Sequence, residues 1–167
     1  LEVMLASHRD DPEGALRLCR MVEDRDRLPS APRAILANCE AWIAQRQGLW
    51  SEERNADHGA QAPADRDGRT LFQAYCYRLY RSAQWHLDQG HGARAVAMLA
   101  PALTRSDAEF GLLSVPSMLL ATSIAAAQLQ IGAADAARET LARRPAVNES
   151  HVVPTAWSLS MIVAARL

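Results

Sequence analysis

The residue pattern predicts an all-α fold of antiparallel helix pairs repeated about every 42 residues, and three observations carry that expectation. Gly48, Gly90 and Gly132 are evenly spaced, 42 residues apart, and each lies between two helical stretches. Pro32 and Pro116 both stand 16 residues before their glycine. Proline suits the first turn of a helix and glycine its end, so each unit starts and stops as a helix should. The apolar content is mostly alanine and leucine: 49% of residues are hydrophobic but only 5% aromatic. That composition favours close-packed helices over strands.

The elements can be placed from these marks. First helices are expected over 32–47, about 70–89 and 116–131. Second helices come after the glycines, where His91 to Leu99 aligns without a gap with Ala133 to Leu141, placing Ala95 on Ala137 and Leu99 on Leu141. An earlier second helix begins at Asp11-Pro12-Glu13, a cap followed by a first-turn proline and acid, and runs to about Asp24. Val153-Pro154-Thr155 resembles Val115-Pro116-Ser117 and opens a further first helix. The partner helix after Gly48, about 51–60, is the weakest element, with Asp57 where Leu99 and Leu141 stand. The stretch 59–68, rich in Ala, Asp, Pro and Gly, reads as a loop.

Counting back from each glycine tests the register. Positions 14, 11 and 7 before it are Ala34, Ala37 and Ala41, then Cys76, Leu79 and Ala83, then Met118, Ala121 and Ala125. They share one helical face and all are apolar. Alanine stands seven before every glycine, where a small side chain lets the helices of a pair approach closely.

Charge and composition exclude several function classes. Eighteen basic residues, all arginine, face nineteen acidic ones for a net charge of −1, so no nucleic-acid or acidic-membrane surface is indicated. The absence of lysine reads as the bias of a GC-rich bacterial genome. Cys19, Cys39 and Cys76 are odd in number and widely spaced among apolar neighbours. They read as buried reduced thiols, which points to a cytoplasmic setting. No run is apolar enough for a membrane span. The chain opens on Leu1 and closes inside a helical pattern, so we read it as one repeat domain over 1–167 belonging to a larger protein.

No phosphate-binding glycine loop, nucleophile elbow or Cys-x-x-Cys pair is present. His86 and His91 are five residues apart, so one helix would not present both to a metal. His8, His58 and His151 stand alone, and all five histidines read as surface or capping residues. The expectation is a non-enzyme with no catalytic residue, metal or cofactor.

These residues resemble the tetratricopeptide pattern: a small first-helix residue, a turn glycine, then alanine five residues on, as in Ala83/Gly90/Ala95 and Ala125/Gly132/Ala137, with Ala41/Gly48 as a partial case. Leu99 and Leu141 stand where the family has its large second-helix residue. The resemblance implies a TPR-like α-solenoid, a right-handed superhelix. Three departures weaken it: the usual repeat is 34 residues, Glu53 replaces the alanine of the first unit, and no closing proline comes in step. Lengthened repeats of this kind look like the sensor region of MalT-like regulators in the LuxR class. There an ATPase module precedes the array and a helix-turn-helix comes after it. Ala41-Trp42-Ile43-Ala44-Gln45-Arg46-Gln47-Gly48 has the character of those arrays.

The resemblance also implies a concave groove lined by first-helix positions 13, 10, 6, 3 and 2 before the glycine. Its polar and aromatic members include Asn38, Trp42, Gln45 and Arg46, then Tyr77, Tyr80, Gln84 and Asp88, then Thr122 and Gln130, with Trp157 and Ser160 from the last helix. Aromatic faces, amides and little net charge suit a neutral polar ligand. Trp42, Tyr77, Tyr80 and Trp157 suit packing between repeats equally well, and the sequence leaves both roles open. Trp85 and Ile43, five before their glycines, are the better packing candidates.

The expected role is a ligand-sensing or partner-binding domain of a bacterial transcriptional regulator. A protein segment or small neutral inducer would occupy the groove, without direct contact to nucleic acid or membrane. The alternative is a protein–protein interaction scaffold, such as a secretion chaperone or assembly adaptor, and an enzyme accessory domain is a third. Apolar faces at the ends of a short array also make a homodimer possible.

Overall fold

A computed structural model describes residues 11–22, 24–49, 51 and 68–144. Among them are six α-helices and no strand: α1 Pro12–Arg20, α2 Ser30–Arg46, α3 Arg69–Asp88, α4 Gly92–Phe110, α5 Val115–Gln130 and α6 Ala134–Ala142. A single 3-10 turn, Arg25–Arg27, lies between α1 and α2. The expected partner helix over 51–60, the loop over 59–68 and the helix opening at Val153 lie outside the described residues, apart from Ser51 and Gly68.

Local chemistry explains two of the helix starts directly. Asp11 caps α1 by accepting the Gly14 N–H at 2.8 Å, and Pro12 occupies a first-turn position that needs no donor. Ser114 caps α5 by accepting the Ser117 N–H at 3.3 Å, with Pro116 again in the first turn.

The helix ends explain the 42-residue spacing. Gly48, Gly90 and Gly132 all sit in the left-handed region, with φ of 67°, 77° and 79°. In each, the residue after the glycine donates to the carbonyl five positions back: Leu49 to Ala44 at 2.8 Å, His91 to His86 at 2.7 Å and Ala133 to Gln128 at 2.8 Å. Each glycine N–H donates to the carbonyl three back, at 3.1, 3.0 and 3.0 Å. This is the Schellman pairing of a helix C-terminus, and it satisfies carbonyls that would otherwise be orphaned. After Gly90 and Gly132 the next helix begins two residues on.

The chain packs as two compact units, residues 1–78 and 79–167, with α3 running through the boundary. In the first, α1 lies on α2 through a core of Ala15, Cys19, Leu36 and Ile43. In the second, α5 is buried along most of its length, from Pro116 to Ala125. Its start meets the end of α4 where Ser106 and Ser117 share a buried hydroxyl hydrogen bond of 2.8 Å. Its end meets the start of α4 at Gly92, where a Cβ would lie 2.8 Å from the Ala127 carbonyl oxygen. Those two contacts make α4 and α5 antiparallel. Helix α6 then folds back onto α5 through Ala137 and Ala125.

The register expectation holds in the second unit, where Leu79, Ala83, Ala95, Leu99, Met118, Ala121, Ala125 and Ala137 are buried. Cys76 is buried in the first unit, as is Ala41, whereas Ala34 and Ala37 are half-buried. Cys19 is buried and Cys39 half-buried, and the three thiols form no disulfide.

One expectation needs extension and one needs correction. Helix α4 runs past the aligned stretch, which ends at Leu99, to Phe110. Pro101 lies inside it on the exposed side, and Ala95, Leu99, Ala102 and Ser106 extend the buried stripe past it. Packing against α5 thus outweighs the hydrogen bond that Pro101 cannot donate. In the other direction, α1 stops at Arg20, and Met21 and Val22 are no longer helical. Asp24 has a positive φ of 51°, incompatible with a continuing right-handed helix.

Two kinds of glycine should therefore respond differently to alanine. Gly90→Ala and Gly132→Ala meet open space and suffer only the left-handed backbone cost, about 1 kcal/mol each. Gly92→Ala drives a methyl into a backbone carbonyl and should lose about 1–3 kcal/mol despite alanine's better helix propensity. Urea titration of the three variants measures both effects.

Candidate binding surface

The sequence-predicted groove residues divide between the two units. In the first, Asn38, Gln45 and Tyr77 are described, whereas the side chains of Trp42 and Arg46 lie outside the described residues. Asn38 is 8% exposed and donates its Nδ2 to the Ala74 carbonyl at 2.8 Å, tying α2 to α3. Gln45 is half-buried. Tyr77 is half-buried and hydrogen-bonded to the Gln73 side chain; burial raises its phenol pKa, a shift that this bond opposes. Nearby on α3, Tyr75 carries the Arg78 guanidinium 5.7 Å from its ring centroid. Burial lowers the Arg78 pKa, and the nearby Tyr75 opposes that shift.

In the second unit, α3 and α5 run side by side in the same direction. Gln84 donates to Ser123 Oγ at 3.1 Å, and further along both helices Gln130 donates to the Leu87 carbonyl at 2.8 Å. Tyr80 and Gln84 are spaced i, i+4 on α3, so they share a face. Burial raises the Tyr80 phenol pKa, and the neighbouring Arg81 opposes that rise. Gln84 is half-buried and Gln130 exposed. The structure thus brings Gln84 and Gln130 to one seam, with Tyr80 on the same α3 face. Thr122 is only 1% exposed and spends its hydroxyl on its own helix, donating to the carbonyls of Met118 at 2.9 Å and Leu119 at 3.1 Å. Trp157 lies outside the described residues.

The arrangement supplies oriented neutral groups: a phenol and two amides, each amide already fixed by one hydrogen bond. Among the described residues no cluster of three metal-ligating side chains occurs. His86 and His91, which one helix would not present to a metal together, nevertheless lie near each other. Past Gly90 the helical wheel no longer applies, and the turn brings the two rings to 6.0 Å between centroids. His86 is also buried, at 3% exposure, rather than a surface residue. Ile43 is buried, in keeping with a packing role, and Trp85 is half-buried and meets the His86 ring edge-on at 5.0 Å.

Some polar contacts are illegible in the sequence because the two partners come from different helices. Arg144, 5% exposed, forms a two-pronged pair with Asp107, at 2.5 and 2.7 Å, joining the end of α6 to α4. Thr140 donates to Gln128 at 2.9 Å. Gln84–Ser123 is equally unreadable, since nothing local marks Ser123 as a partner.

Two measurements test these contacts. Tyr77 and Tyr80 both hold their phenol protons to higher pH when folded than when unfolded. The folded state therefore binds more protons above about pH 10, and stability is full below that point and falls as pH rises past it. Thermal melts between about pH 9 and 11 should show the decline, and Tyr80→Phe should flatten it. Separately, Asp107→Ala strands the Arg144 guanidinium and should cost about 3 kcal/mol by denaturant titration. No protein-family model, curated protein or solved structure matches this chain.

Proposed function

We propose that this chain is a non-catalytic helical-repeat array, a TPR-like solenoid with a 42-residue step, that binds a neutral polar ligand or a partner segment. The observation that supports it most is the lateral pairing of equivalent helices in the second unit. First helices α3 and α5 are joined by Gln84–Ser123 and Gln130–Leu87, and second helices α4 and α6 by Asp107–Arg144. Sequence separations of 39, 43 and 37 are close to one repeat. A solenoid stacks its units through such side-by-side contacts and leaves one face of the first helices for binding. Tyr80, Gln84 and Gln130 carry that face in the second unit.

The resemblance to MalT-like regulators makes a sensor role in bacterial transcription our first reading. A ligand that binds one arrangement of the array better than another would shift the population of the parent protein. A scaffold that holds a protein segment is the second reading. It is favoured by the neutral character of the seam, whose amides run along two parallel helices as an extended peptide would.

The test is isothermal titration of the chain with a panel of neutral sugars and with uncharged extended peptides. For whichever probe binds, Gln84→Ala or Tyr80→Ala should weaken affinity by about tenfold, roughly 1.4 kcal/mol. Unchanged affinity in both variants would remove this seam from the site. A Walker A motif upstream and a helix-turn-helix downstream in the parent gene would support the regulator reading, and their absence would sink it.

A further inference from the structure

A cavity lined by none of the groove residues lies in the first unit. An open cavity of about 340 Å³ lies between α1 and the end of α2, lined by Glu13, Leu16, Arg17, Arg20 and Gln47. Four of these five form a single stripe on α1, at spacings i, i+3, i+4 and i+7. The stripe spans two turns, about 10.5 Å along the axis at the α-helical rise. Gln47 closes the cavity from the residue that caps α2.

The lining is chemically ordered. Arg17 and Arg20 stand together at the C-terminal end of α1, Glu13 at the N-terminal end, and half-buried Leu16 between them. Helix polarity accounts for acid at the start and bases at the end. It does not account for the concavity, nor for an apolar floor and a carboxamide facing the same space. Two guanidiniums against one carboxylate leave an excess positive charge, and neither arginine bonds a carboxylate among the described residues.

We propose that this cavity binds a small organic carboxylate with an aliphatic body. Arg17 and Arg20 take the carboxylate, since the guanidinium fork matches its two oxygens. Gln47 donates an amide N–H to it, and Leu16 covers the aliphatic part. Glu13 repels a second negative charge at the far end of the stripe and so selects against dicarboxylates.

Thermal unfolding of the full chain with hexanoate tests this, with acetate, inorganic phosphate and sodium chloride as comparisons at matched ionic strength. Hexanoate should raise the melting temperature saturably, as a ligand bound only by the folded state does. Half-saturation should come at a lower concentration than with acetate. Arg17→Gln and Arg20→Gln should each weaken the response about fivefold, the contribution of one exposed charge pair. Glu13→Gln should let adipate, a dicarboxylate of equal length, bind as hexanoate does. All three positions are solvent-exposed, and far-UV circular dichroism checks that the variants keep their helices. The proposal is overturned if hexanoate gives no shift, or if chloride or phosphate gives the same one. It is equally overturned if both arginine variants respond like wild type.

Discussion

A helix end leaves its last carbonyls without backbone donors, and this chain meets that constraint the same way at Gly48, Gly90 and Gly132. At each glycine the backbone turns left-handed and folds two N–H groups back onto the last turn. The reversal needs a residue with no Cβ to strain, which is why glycine occurs at all three. After Gly90 and Gly132 the next helix starts two residues later, and both of these helices, α4 and α6, pack on α5. The pairing of helices and the placing of their buried alanines depend on this turn.

The second consequence is close packing. The Ala83, Ala95, Ala125 and Ala137 side chains are fully buried, and Gly92 brings the start of α4 against the Ala127 carbonyl. In the second unit, helices held this near one another leave little room for aromatic core residues, and the fully buried Phe72 lies in the first. Buried hydroxyls then find partners across the interface, as Ser106 does with Ser117, or within their own helix, as Thr122 does. Each of these is satisfied, so none weighs against the burial of α5.

The polar groups with functional potential lie where this packing stops. Tyr80, Gln84 and Gln130 border the seam between α3 and α5, and their amides are oriented by bonds that also join the two helices. A ligand that competed for Gln84 would therefore loosen Gln84–Ser123. Arg144–Asp107 performs the corresponding joining between α4 and α6 with charge, and the near-complete burial of Arg144 makes it a fixed part of the fold.

Helices with a signature of their own were legible in the linear chain. Gly90 and Gly132 ended their helices where the 42-residue period placed them, Asp11 and Ser114 capped theirs, and the alanines seven before and five after those two glycines were buried. Periodicity and capping act within a few residues, so no distant segment is needed to read them. Contacts between helices, together with one local turn, fixed much of the rest. They carried α4 through Pro101, because burial of Ala102 and Ser106 outweighed a missing hydrogen bond. A left-handed residue set His91 beside a buried His86, redirecting the chain in a way no helical wheel describes. Packing also removed Asn38 and Thr122 from open surface while leaving Gln130 exposed. Those three share a groove register in sequence, and only the neighbouring helices, brought from distant parts of the chain, distinguish them.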